Sequence, residues 1–181
     1  MVLVRRSKQR AVARGRITDG RDPSRVLAYA TIAYRMIEPE GEYMPGDRRA
    51  AEPEAGPPTA SPEPILDAMA MRVRPDEGVC ELDEVHAGVL APEGRLHGGA
   101  HQLMHEAAGL AAARRALRTD AVRVGDLAIR FLAPAMAGPF VATASVVAGS
   151  DDEVLCQVDL VDRGGGDDVR SLSSMRVVRA L

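Results

Sequence analysis

The amino-acid sequence predicts an α+β fold, in which one long buried helix lies across an antiparallel sheet and extra strands precede it. Two observations carry that prediction. Residues 98–118 form a proline-free segment rich in Ala and Leu, and four strand-like runs separated by turn residues follow it. A third observation sets the boundaries. Residues 38–64 hold seven of the chain's twelve prolines and almost no large apolar side chains. Such a stretch cannot bury enough surface to offset its ordering entropy, so it is expected to be a linker. The expected organisation is therefore N-terminal strands over 1–37, a Pro-rich linker over 38–64 and a main domain over 65–181.

The elements follow in order. Val12 and Ile17 belong to a first run, and Val26 to Ile37 alternates as a second, around the turn residues Asp19-Gly20-Arg21-Asp22-Pro23. A two- or three-stranded β element of that size is not stable alone and is expected to pair with another part of the chain or a second copy. Residues 66–85 are expected to form strands on either side of Pro75-Asp76-Glu77-Gly78. The segment 98–118 spreads Leu103, Met104, Leu110 and Leu117 over more than one side among many alanines, the pattern of a helix buried on most faces. Ala121–Ala133, Phe140–Ala148, Glu153–Val161 and Val169–Ala180 are the strands of an expected meander, the first three following the helix in turn and the fourth closing the chain. A weak echo links the first part to the last. Arg14 to Gly20 with Val26 to Met36, and Cys156 to Asp162 with Val169 to Val178, both read strand, Asp/Gly turn, strand.

Composition narrows the partners. With 23 Lys+Arg against 26 Asp+Glu the net charge is −3, which supplies no field for nucleic acid. Only Lys8 among the basic residues is a lysine, a bias of genome composition rather than of binding. Two cysteines, Cys80 and Cys156, cannot build a disulfide framework; both lie in apolar runs and are expected to be core residues of a reducing compartment. No apolar run approaches the roughly 20 residues that span a bilayer, and the basic N-terminus lacks an apolar signal region, so a cytoplasmic location without membrane contact is expected.

The chemistry concentrates in Leu96-His97-Gly98-Gly99-Ala100-His101-Gln102-Leu103-Met104-His105-Glu106. Two glycines open the helix, where free backbone N–H groups point outward and the absence of side chains lets a ligand approach closely. Such donors suit a carbonyl oxygen that gains negative charge. Glu106, two turns in, is a candidate base or nucleophile; a loop-to-helix turn with a solvated glutamate fits the same spacing. His101 and His105 share a helix face at the spacing of a metal pair, but no third ligand is evident and Glu106 follows the pair instead of lying inside it. No metal is expected there. His86 is expected to be an ordinary strand or loop residue, and glycine-rich nucleotide loops and a serine nucleophile elbow are absent.

Ala91-Pro92-Glu93-Gly94-Arg95-Leu96-His97-Gly98-Gly99, followed by Glu106-Ala107-Ala108-Gly109, resembles the signature of hotdog-fold acyl-CoA thioesterases of the PaaI and 4-hydroxybenzoyl-CoA thioesterase type. Phe131-Leu132-Ala133-Pro134 with Gly138 resembles a strand end of the same family. The resemblance spans roughly residues 66–180 and implies a hotdog fold, a helix wrapped by an antiparallel sheet and paired into dimers or tetramers with sites at the subunit interface. It implies that Gly98 polarises a thioester carbonyl, that Glu106 arrives across the interface as base or nucleophile, and that His97 shapes the loop. Gly99, His101 and Gln102 become the expected substrate contacts, and no cofactor is implied. The family often has Asn or Gln six residues before the histidine; here Ala91 stands there, so Gln102 or His101 would have to compensate. The expected activity is hydrolysis of an acyl-CoA or similar thioester, with Arg114, Arg115, Arg118, Arg123 and Arg130 as candidates for the CoA phosphates. A non-catalytic module that binds acyl thioesters or serves in assembly is the alternative, and a hydratase built on Glu81 and His86 a more remote one. Under the same resemblance the N-terminal strands read as the trailing part of a second, shortened hotdog unit.

Overall fold

The computed structural model describes residues 2–6, 10–35, 63–91 and 94–180, and the chain divides into two units, Met1–Pro58 and Thr59–Leu181. The expected linker lies outside the described residues except for Glu63 and Pro64.

In the first unit β1 (Val2–Arg6), β2 (Arg10–Thr18) and β3 (Val26–Arg35) make a three-stranded antiparallel sheet in sequence order. The turn between β2 and β3 is held as its sequence demands. Asp19 accepts a hydrogen bond from the Arg21 N–H at 2.8 Å, and Asp22 accepts from the Ser24 N–H at 3.0 Å. The β2–β3 register sets Ala13, Gly15 and Ile17 opposite Ile32, Ala30 and Ala28. Ala13 is buried, while Ile17, Leu27 and Tyr29 are exposed.

The second unit wraps a six-stranded antiparallel sheet around one helix. A single-turn α1 (Ile65–Ala68) leads into β4 (Arg72–Arg74) and β5 (Val79–Leu82). A two-residue hairpin, β6 (Leu90–Ala91) and β7 (Arg95–Leu96), feeds α2 (Gly98–Leu117). Then come β8 (Val122–Phe131), β9 (Phe140–Gly149), β10 (Glu153–Asp162), a 3-10 turn at Arg163–Gly165, and β11 (Asp168–Arg179). The strand order is β4-β5-β9-β10-β11-β8. Two expectations are corrected. Residues 65–68 are helical rather than strand, Pro64 standing directly before the first helical residue. The strands after α2 do not run as a plain meander: β8 pairs with β11 at the sheet edge, because β9 is already flanked by β5 and β10.

Strand alternation explains the core. β10 turns Val154, Cys156, Val158, Leu160 and Asp162 inward, and β11 turns Ser171, Ser173, Met175 and Val177 inward. Against this face α2 presents Met104, Ala108, Ala111 and Ala112, all buried. Its small residues bring the helix close to the sheet. A Cβ at Gly109 would overlap the Met175 methyl, so any larger residue there displaces that side chain within the core. Gly78 closes the β4–β5 turn at φ +66°, where a Cβ would lie 3.1 Å from that of Ala112. Cys80 and Cys156 are buried core residues as expected, and burial pushes the Cys80 thiol up to about 12. Among the described residues no helix is long and apolar enough to cross a membrane.

Candidate functional site

The entry to α2 is fixed from several sides. The Leu96 N–H donates to the Ala135 carbonyl and the His97 N–H to the Val89 carbonyl, both at 2.8 Å. The loop that carries Ala135 is itself anchored by Asp162, which accepts N–H bonds from Met136, Ala137, Gly138 and Gly165 at 2.8–3.2 Å. Burial raises the pKa of this carboxyl, but the four donors outweigh burial and hold it below the usual carboxylate range.

His97 is the N-cap of α2. Its backbone is extended, and its Nδ1 accepts the Gly99 N–H at 3.0 Å. The His97 carbonyl accepts the N–H groups of Ala100 at 2.9 Å and His101 at 3.2 Å. Of the amides in this first turn, only that of Gly98 is left without a hydrogen-bond partner among the described residues. Gly98 is exposed, and a Cβ placed on it would lie 3.6 Å from Cζ of Phe131. The two glycines are thus unequal: the donor of Gly98 is left unpaired, and the donor of Gly99 is spent on the cap.

A cavity of about 320 Å³ opens beside this turn, walled by Ile65, Met69, Val89 and Leu103, with His97 and Gln102 as its polar side chains. Gly99 also borders it. Gln102 is exposed and carries the amide that Ala91 lacks; Ala91 is buried in the β6–β7 hairpin.

His101 goes elsewhere. It is buried against the sheet, its Nδ1 2.8 Å from Oγ of Ser171, and its ring meets Phe131 edge-on with centroids 5.3 Å apart. His105, fully buried, places Nδ1 2.8 Å from Oγ of Ser173 and Nε2 2.8 Å from Oγ of Ser171. Burial lowers both imidazoles to about 4, and for His105 the neighbouring His101 adds to the effect. They stand there neutral. His101, an expected substrate contact, is buried between α2, β8 and β11 and is not part of the cavity lining. Among the described residues no group of His, Cys, Asp and Glu is arranged to hold a metal ion.

Glu106 lies on another side of α2, half-buried, with no hydrogen-bond or ion-pair partner among the described residues. Eight residues separate it from Gly98, a rise of about 12 Å along the axis. Within one chain these two groups cannot meet on one carbonyl. The candidate arginines Arg114, Arg115 and Arg118 border a shallow depression at the far end of the helix, which is about 30 Å long. Arg115 donates there to the Asp76 carbonyl. The pair Glu81 and His86 is otherwise engaged. Glu81 accepts from Arg74 at 2.8 Å, and His86 lies 3.1 Å from the Met69 carbonyl.

Ser171, Ser173 and Phe131 were not among the sequence-read site residues. The alternation Ser171-Leu172-Ser173, with small polar residues at inward positions of a strand, was the available signal. Matching it to His101 and His105 requires the packing of β11 on α2, which local sequence does not state.

Known proteins agree with this architecture. Residues 93–168 match the family model described as thioesterase superfamily. Among solved structures, AziG of S. sahachiroi is 28% identical, with 65% of this chain and 97% of that one covered at a TM-score of 0.56. The E. coli PaaI protein from the phenylacetic acid degradation operon is 21% identical, covering 66% of this chain and 86% of its own at 0.55. A Bacillus halodurans protein solved with CoA is 15% identical, covering 63% and 74% at 0.51. No curated protein matches the chain. The resemblance read from the sequence, and the hotdog fold with it, is borne out.

Proposed function

Since the second unit has the hotdog fold and carries the thioesterase-superfamily signature, we propose that the protein hydrolyses an acyl-CoA or closely similar thioester in an assembly of two or more copies. The observation that carries this reading is the unpaired Gly98 N–H at the head of α2, between His97 and Gly99, which line an apolar cavity although Gly98 itself is not part of the lining. A helix N-terminus with one free donor stabilises an oxygen that becomes negative as its carbonyl is attacked.

Glu106 serves as base. It takes a proton from water as the water oxygen bonds to the carbonyl carbon, and the oxyanion leans on Gly98. Collapse breaks the C–S bond and releases the thiolate and the carboxylic acid, the thiolate then taking up the proton that water gave to Glu106. The alternative course, attack by the Glu106 carboxylate itself, passes through an anhydride that water then opens. Because Glu106 rises about 12 Å beyond Gly98 on its own helix, the pair that acts on one substrate comes from two subunits. The half-buried stripe of Leu103, Glu106 and Leu110 is the face that a second copy would cover. The cavity walls suit an aliphatic or small aryl acyl group, with Gln102 supplying the amide absent at Ala91. The arginines on α2 and β8 remain candidates for the phosphates of CoA, the ligand present in the Bacillus halodurans neighbour.

A second reading, a module that binds thioesters without cleaving them, draws on Ala91, whose buried methyl offers no polar contact. Thiol release from a panel of acyl-CoAs separates the two. Turnover abolished by Glu106→Gln supports hydrolysis, and binding without turnover on every member supports the module.

A further inference from the structure

We infer that His101 and His105 are positioning residues, which through Ser171 and Ser173 set the axial and rotational place of the first turn of α2 and so aim the Gly98 amide. The role presupposes the reading of that amide as a carbonyl donor.

The geometry is specific. His101 and His105 stand one helical turn apart on one face of α2, and Ser171 and Ser173 stand two residues apart on the inward face of β11. Three contacts of 2.8 Å join them in one chain, with Oγ of Ser171 shared by the two rings. A hydroxyl has one hydrogen to give and lone pairs to accept with, so it can take an N–H from one ring while donating to the other. With both imidazoles neutral, all three contacts can then be hydrogen bonds at once, one proton to each.

An apolar pair in these places would bury the same area with no preference for one axial position of the helix. Directional bonds supply that preference, since a small slide or rotation of α2 breaks all three. The chain also reaches the donor itself. Ser171 lies directly opposite Phe131 across the β11–β8 ladder. The Phe131 ring meets His101 edge-on, and its Cζ lies 3.6 Å from where a Cβ on Gly98 would stand. Just beyond it, the Leu132 and Ala133 N–H groups both donate to the Arg170 carbonyl, at 2.8 and 3.2 Å, which fixes the strand end that carries the ring. Sequence from the helix, β8 and β11 thus converges on one backbone donor.

The test compares Ser171→Ala and His101→Phe, which remove hydrogen bonds, with His101→Asn, which keeps a donor or acceptor near the position of Nδ1. Two readouts are taken on the full chain. The first is the amide NMR signals of Gly98 and Gly99 against those of Ala112 to Leu117 at the other end of α2. Ser171→Ala and His101→Phe are expected to shift or broaden the Gly98 and Gly99 signals and leave the far end unmoved, with His101→Asn restoring them. The second is kinetic, on an acyl-CoA that the wild type cleaves. The two disruptive variants should lower kcat about tenfold to a hundredfold with KM within about twofold. Should Ser171→Ala fail to fold, Ser173→Ala removes only one bond and keeps the NMR comparison readable. Variants that melt earlier yet keep wild-type Gly98 and Gly99 signals would overturn the role, leaving the four residues merely structural. A wild type that cleaves no thioester would refute the hydrolase reading alone, since the NMR arm decides the positioning without turnover.

Discussion

The two sides of α2 are built to opposite rules. Toward β11, His101 and His105 are sealed and bonded to serines, and Gly109 packs directly on the Met175 methyl. Away from it, Gln102, Leu103, Glu106 and Leu110 are exposed or half-buried, and Glu106 meets no partner among the described residues. One side fixes where the helix points, and the other waits for something to complete it. On the proposed reading, the difference teaches that a single chain holds a finished donor and an unfinished acid. Function is therefore expected to depend on assembly more steeply than folding does.

Substitutions that strike one side at a time sharpen this contrast. The largest effect is expected on the open side, where Glu106→Gln should cost about 10²–10⁴-fold in kcat while the melting temperature stays within a few degrees. Gly98→Pro should cost about 10²–10³-fold, because it deletes the N–H at a first helical position that accepts proline well. Thiol release and thermal melts check both. On the closed side the loss should appear in stability instead. Gly109→Ala forces a methyl against Met175 and should remove about 1–3 kcal/mol, read by denaturant titration.

Acid should act on the closed side as well. The two buried imidazoles titrate at about 4 in the folded chain against 6.5 when exposed, so below pH 6.5 the unfolded state binds more protons. Stability should be full above about pH 6.5 and fall as the pH drops toward 4, and His105→Asn should flatten that fall in a series of melts. The smallest effect belongs to the outer sheet surface. The Arg176–Glu153 pair at 3.0 Å has both side chains half-exposed, and Arg176→Ala should change stability by less than about 1 kcal/mol. A larger change would mean that the outer face is not the solvated surface described here.

The fold was legible because its signals are local. A proline-free Ala/Leu-rich run marked α2, and strand-like runs between turn residues marked all four later strands, to within a residue or two at most ends, while Asp19, Asp22 and Gly78 marked turns that the structure confirms. What sequence could not give was pairing between distant segments. β8 reaches past β9 and β10 to β11, and nothing in residues 122–131 names that neighbour. The single turn at Ile65–Ala68 and the two-residue strands β6 and β7 are too short to carry a period. In the candidate site, the residue types at the head of α2 pointed to a donor, but not that His97 occupies Gly99 and frees only Gly98. The burial of His101 was illegible for the same reason. Its direction depends on Ser171, 70 residues away, and helix spacing alone does not say which face meets the sheet.

Mixed assemblies test the central claim most directly. Glu106→Gln and Gly98→Pro chains, each inactive alone, are co-expressed under separate tags and the mixed dimer is isolated. If the donor and the acid come from different subunits, one of its two sites carries both intact groups, and about half of wild-type activity returns. A mixed dimer as inactive as either parent would contradict the account, for then both groups must act within one chain.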